Sequence, residues 1–145
     1  MKARDLAIHI ARIAGDKKAE KPVILNLSKL AAFCDFFVIM TGTSGRHIAG
    51  LAEAIEETLA KEKTSALFGG LSSRNPESGW IVLDYANVVV HIFQKPQREF
   101  YSLEHLWQDA KRVRIPPADK TNERRKSPRK SPVRNKRLSK NLKSR

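Results

Sequence analysis

Leu6, Ile10 and Ile13 recur at i, i+4 and i+7 and Gly15 follows as a stop signal, a pattern that predicts an amphipathic helix over 3–14. Pro22 resets the backbone, and the β-branched and leucine run 23–27 reads as a first strand. Asp35-Phe36-Phe37-Val38-Ile39-Met40-Thr41 is almost continuous hydrophobe, as in a strand covered on both faces. The period changes after Gly42-Thr43-Ser44-Gly45. Ile48, Leu51, Ala52, Ile55 and Leu59 fall on one helical stripe that runs to about residue 63, with Ser44 as its N-cap. A strand feeding straight into a long helix predicts an α/β layer.

Residues 66–68 offer a short third strand closed by Gly69-Gly70, and 71–79, rich in Ser, Asn, Pro and Gly, read as a mobile loop. Two β-rich runs, 80–83 and 88–93, are separated by Asp84-Tyr85-Ala86-Asn87, a spacing that suits an antiparallel hairpin. Pro96 breaks the sheet. Phe100, Leu103, Trp107 and Ala110 then repeat at helical spacing, so a closing helix is expected over 98–112, ended by Pro116-Pro117.

Charge divides the chain. Of its 145 residues 28 are Lys or Arg and 15 are Asp or Glu, and residues 117–145 hold 12 of the basic side chains and 2 of the acidic ones. Residues 1–116 are therefore expected to be one domain with a normal core. Residues 117–145, with two Ser-Pro steps and few hydrophobes, are expected to be a disordered basic tail, because little apolar burial offsets the entropy of ordering it. The lone Cys34 excludes an internal disulfide, and four scattered histidines argue against a Cys/His zinc cluster. No run of about 18 apolar residues is present to span a bilayer. An intracellular, cytoplasmic protein is expected, with no cofactor and no metal.

The strand–Gly42-Thr43-Ser44–helix passage resembles a phosphate cradle, but it lacks the Gly-Lys-Ser/Thr of a Walker loop and the three glycines of a dinucleotide fingerprint, so a plain helix cap outweighs it. A nucleotidyltransferase needs carboxylates converging there. Asp35 precedes its strand, Asp84 stands alone at a hairpin turn where capping is its simplest role, and Glu53, Glu56 and Glu57 lie on the outer side of the helix. His91, inside a hydrophobic strand, reads as a hydrogen-bonded core residue, and Cys34 as a small buried hydrophobe.

All the Trp and Tyr residues, Trp80, Tyr85, Tyr101 and Trp107, lie between 80 and 107. Core packing accounts for Phe100 and Trp107 but poorly for a tyrosine on a turn, so composition leaves an aromatic partner surface formed by the hairpin and the last helix as open as plain packing.

Taken in order, Asp35 to Ile39 with Thr41 to Ser44, Trp80 to Tyr85, Val88 to Phe93, and Arg98-Glu99-Phe100-Tyr101-Ser102-Leu103-Glu104-His105-Leu106-Trp107-Gln108-Asp109-Ala110 resemble the hallmarks of the ribosomal silencing factor, or Iojap, family. The resemblance covers roughly residues 3–114. It implies a single α/β domain with a mixed β-sheet packed with helices, nucleotidyltransferase-like in fold but without that activity. It implies a translational repressor that binds the large ribosomal subunit through ribosomal protein uL14 and blocks joining of the small subunit. The carried-over contact positions are Trp80, Leu83, Asp84 and Tyr85 on the hairpin and Tyr101, Leu103, Glu104 and Trp107 on the last helix, with Leu103 and Trp107 shaping the surface from behind. The hairpin turn departs from the family's frequent Gly-Asp by reading Ala86-Asn87. The basic tail lies outside the family core and is not explained by the resemblance: a solvated, solubilising tail and one that contacts ribosomal RNA both stay open, and a homodimer is a further expectation for the free protein. The rival readings are an RNA-binding protein working through its tail and an enzyme of nucleotidyltransferase type.

Overall fold

The computed structural model describes residues 2–67 and 76–117. Their elements, in chain order, are α1 (Ala3–Asp16), β1 (Glu20–Asn26), β2 (Phe36–Gly42), α2 (Gly45–Lys61), a 3₁₀ turn (Pro76–Ser78), β3 (Trp80–Asp84), β4 (Val88–Gln94), α3 (Lys95–Tyr101), α4 (Leu103–Leu106) and β5 (Lys111–Val113). The strands form one sheet in the order β3-β4-β2-β1-β5, in which β2 and β4 are parallel and the other neighbours antiparallel. This is the expected mixed sheet, and residues up to Ile115 form one compact unit.

Helices α1 and α2 lie on one face. Ala7, Ile10, Ala11 and Ala14 of α1 and Ile48, Leu51, Ala52, Ile55 and Leu59 of α2 pack on Ile24, Val38, Met40, Ile81, Leu83, Val90 and Ile92. Each fully buried Leu or Ile here contributes about 1.5–3 kcal/mol. The N-cap read from the sequence forms, with the Ser44 hydroxyl accepting from the His47 amide at 3.0 Å. Gly42 is required just before it, because a Cβ there would lie 2.7 Å from a methyl group of Ile48. All seven residues of β2 are buried, as a strand covered on both faces must be.

Three expectations are corrected. The closing helix is not continuous over 98–112. Pro96, tolerated in a first helical turn, starts α3 at Lys95, and Ser102 in the left-handed region (φ 46°, ψ 52°) ends it. After α4 the chain returns to the sheet as β5, pairing Val113 with Ile24 and Arg112 with Leu25. Ala66 and Leu67 form no strand; the Leu67 amide makes a single bond to the Asp84 carbonyl at 2.7 Å, and Phe68 lies outside the described residues. Of the expected loop over 71–79, residues 71–75 lie outside the described residues, while Pro76–Ser78 is helical and Gly79 sits at φ +78° against the Gln97 side chain. The hairpin turn is tight. The Asn87 amide reaches back to the Tyr85 carbonyl at 2.9 Å, which puts Ala86 at φ +70°, a conformation easier for glycine.

An aromatic surface on the second face of the sheet

Strand pairing assigns every side chain to a face. Trp80, Val82 and Asp84 of β3 lie beside Phe93, His91 and Val89 of β4, which lie beside Thr41, Ile39 and Phe37 of β2, with Leu25 of β1 next to Phe37. Opposite the long helices, this second face is covered by the segment after β1 and by α3 and α4. Its core is Leu25, Leu27, Cys34, Phe37, Ile39 and Phe93, with Trp80, Val89, Leu103, Trp107 and Ala110 packed half-buried against it.

The rings form one connected set. Phe33 and Trp107 each meet Phe37 at 6.1 Å between centroids, Phe37 meets His91 at 4.4 Å, and Trp80 stacks on Phe93 at 5.0 Å. Tyr101 lies 4.5 Å from Trp80, and Phe100 lies 5.1 Å from Tyr101 in edge geometry. The outer members face water: Phe33 is 62% exposed, Phe100 80% and Tyr101 46%. Contiguous apolar surface of this kind marks an interaction site more often than scattered single residues do.

His91 orients the central indole. Trp80 Nε1 can only donate, and it does so to His91 Nδ1 at 3.1 Å, so the proton of the neutral imidazole is on Nε2. Burial pushes the His91 pKa down to about 4. Its Nε2 has no hydrogen-bond partner among the described residues.

The structure divides the contact residues carried over from the resemblance. Trp80, Tyr101, Leu103 and Trp107 come together on the second face. Leu83 and Tyr85 do not: they are buried on the opposite face, beneath the long helices, and burial followed by the charge of Glu56 pushes the Tyr85 phenol up to about 12. Alternation along β3 turns Leu83 away from Trp80, and Tyr85, on the turn just beyond the strand, is buried on the same side as Leu83. Asp84 caps its turn, accepting from the Ala86 amide at 2.8 Å. Glu104 is engaged internally with Arg98 at 2.9 Å and Arg112 at 3.3 Å. Phe100, placed by its spacing in the core, is exposed, since the break at Ser102 removes the stripe that would have buried it. Phe33, Phe37, His91 and Phe93 complete the surface and carried no partner signal in the sequence. The one available clue was strand register, which puts Phe37, His91 and Phe93 on the face of Trp80.

The Gly42–Ser44 turn is chemically occupied. Its Thr43 amide donates to His47 Nδ1 at 2.9 Å, Ser44 Oγ takes the His47 amide, and His47 Nε2 reaches the Lys17 carbonyl at 2.8 Å. Asp84 stands at the other end of the strands: it pairs with Val89, beside Phe37, five residues or about 17 Å along β2 from Gly42. Burial, with Asp35 and Asp84 adding to it, pushes the Cys34 thiol up to about 11. Among the described residues no three His, Cys, Asp or Glu side chains converge as a metal set, and no helix is long and apolar enough to cross a membrane.

Comparison with known proteins places this architecture. The family model described as "Ribosomal silencing factor during starvation" matches residues 1–140, which runs past the boundary expected at Pro116. The ribosomal silencing factor RsfS of Halalkalibacterium halodurans is 34% identical over 102 residues, covering 69% of this chain and 83% of that one. The chloroplastic Iojap protein of Arabidopsis thaliana is 31% identical over 118 residues, 81% of this chain but 48% of its own longer length. A crystal structure from Bacillus halodurans superposes with a TM-score of 0.62 at 29% identity, covering 77% and 95% of the two chains. One from Chromobacterium violaceum gives 0.68 at 23% identity, covering 74% and 88%, and speaks to the fold alone. With a family match along nearly the whole chain and relatives above 30% identity over two thirds of it, this protein belongs to the ribosomal silencing factor family.

Proposed function

We propose that the protein represses translation by docking its aromatic face on ribosomal protein uL14 of the large subunit, so that its bulk excludes the small subunit from the joining surface. The observation that carries this reading is the connected set of rings from Phe33 to Phe100, deeply anchored at Phe37 and Phe93 and open to water at its rim. Rigid aromatic anchors surrounded by smaller contacts are the usual energetic centre of a protein interface. Steric exclusion needs no chemistry, only a complex that outlives the joining reaction, and a standard interface of about 1,600 Å² suffices for that. The cap-like occupation of the Gly42–Ser44 turn, and its distance from Asp84, favour this reading over a nucleotidyltransferase. The basic tail adds salt-sensitive attraction to ribosomal RNA, which orients and accelerates the encounter.

The test is sedimentation with separated subunits, followed by a subunit-joining mixture. The protein should travel with the large subunit and lower the yield of joined ribosomes. Trp80→Ala should weaken large-subunit binding about thirtyfold, equivalent to roughly 2 kcal/mol. Binding at the original level in Trp80→Ala and Tyr101→Ala would sink the assignment of the surface. Loss of all binding on neutralising the tail alone would favour an RNA-driven protein instead.

A further inference from the structure

We propose that Arg98 is the positioning residue of the docking face, a reading that rests on the function proposed above. Helices α3 and α4 deliver Tyr101, Leu103 and Trp107 to the aromatic surface, yet they are seven and four residues long and neither contains a buried residue. Helices this short do not hold their shape by their own hydrogen bonds. Between them Ser102 occupies the left-handed region, a conformation that a non-glycine residue keeps only when its surroundings impose it. The ring contacts supply part of that constraint, but rings slide on one another, and something must set the register of the whole cap.

Arg98 has the required geometry. Its side chain is 12% exposed; Nε donates to Glu104 Oε1 at 2.9 Å, and Nη1 donates to Thr41 Oγ1 at 2.8 Å. The same carboxylate accepts from Arg112 Nη2 at 3.3 Å through its other oxygen. One guanidinium therefore ties α3 to β2 and α4, and through Glu104 to β5. Thr41 pairs with Phe93, the ring on which Trp80 and Tyr101 stack, so the anchor sits in the same row as the aromatic centre. The hydrogen bond from Arg98 holds the Glu104 carboxyl below its usual range despite the opposing effect of burial, so the clasp is charge-assisted at neutral pH. Lysine, a single point charge on a flexible stem, lacks the fixed fork that meets two acceptors.

Glu104 accordingly works inside the protein. Without the clasp α3 and α4 are off the sheet most of the time, about nine-tenths of it for a tenfold loss, and affinity for the large subunit falls in proportion to the docked fraction.

The experiment uses the full-length protein and the variants Arg98→Lys, Glu104→Gln, their combination, Thr41→Val and Trp80→Ala. Affinity for isolated large subunits is measured beside amide exchange. Arg98→Lys and Glu104→Gln should each lower affinity about tenfold, and the double variant by about the same tenfold, because both break one clasp. Exchange should accelerate over residues 95–107 and stay unchanged in α2. Thr41→Val, which removes only the far anchor while keeping its volume, should give a smaller change of the same kind. Losses that multiply in the double variant, or a Glu104→Gln loss without faster exchange, would put Glu104 on the partner and overturn the proposal. Faster exchange with unchanged affinity would also overturn it while leaving the docking surface standing. Trp80→Ala separates that outcome from failure of the surface itself, which unchanged binding in this variant would mark.

Discussion

The two faces of the sheet are built from the same five strands but finished differently. On one, helices of 14 and 17 residues lay aliphatic stripes over Val38, Met40, Val90 and Ile92 and close them off from water. On the other, helices of seven and four residues with no buried position lean on a layer of rings that remains partly open. Branched aliphatic side chains interlock when two long elements press together. Large flat rings still bury much of their area at the edge of an incomplete cover, and their exposed remainder is ready for a partner. The contrast separates a face sealed by long helices from one whose rings stay partly exposed, the face proposed above to dock.

Substitutions break the comparison in graded ways. Leu51→Ala, under the centre of α2, should cost about 2–5 kcal/mol of unfolding free energy. Measured by urea unfolding, this loss should leave large-subunit affinity of the folded protein unchanged. A binding defect without a stability defect would mean that the helical face also docks.

Acid should strike the aromatic face first. The His91 pKa is about 4 in the folded protein against an ordinary 6.5, so between those values the unfolded chain holds more protons. Stability from this group is complete above pH 6.5 and declines as the pH falls toward 4, by about 3 kcal/mol in all. Urea unfolding from pH 7 to pH 4.5 should show the decline, and His91→Gln should remove most of it. An unchanged pH slope in that variant would show that the imidazole is not the group that titrates.

Phe100→Ala sharpens the contrast most cleanly, although its effect is the smallest. The ring is 80% exposed, so unfolding free energy should move by no more than about 0.5 kcal/mol. Affinity for the large subunit should fall roughly fivefold to tenfold, since the ring extends the anchor set at its rim. A change confined to stability would place Phe100 outside the interface.

Much of the helical face was legible along the chain, because an apolar stripe such as Ile48, Leu51, Ala52, Ile55 and Leu59 is a local property of spacing and Ser44 announces its start. The aromatic face was only partly so. Trp80, Tyr101, Leu103 and Trp107 belong to it, but period-two alternation along β3 separates Leu83 from Trp80, Tyr85 is buried on the side of Leu83, and a contact set drawn from consecutive residues ignores that. Phe100 looked like core for the opposite reason: it lay on a helical stripe that Ser102 interrupts.

The sequence by itself determined which stretches become long helices and strands, where the hairpin turns, and that charge gathers beyond Pro116, because those features depend on neighbours within a few residues. Tertiary structure decided which face of the sheet stays open, that residues 111–113 return to pair with β1, and that Glu104 is spent on Arg98. Those outcomes depend on groups far apart in the chain, as Thr41 and Arg98 are, meeting across a sheet whose strand order no local pattern specifies.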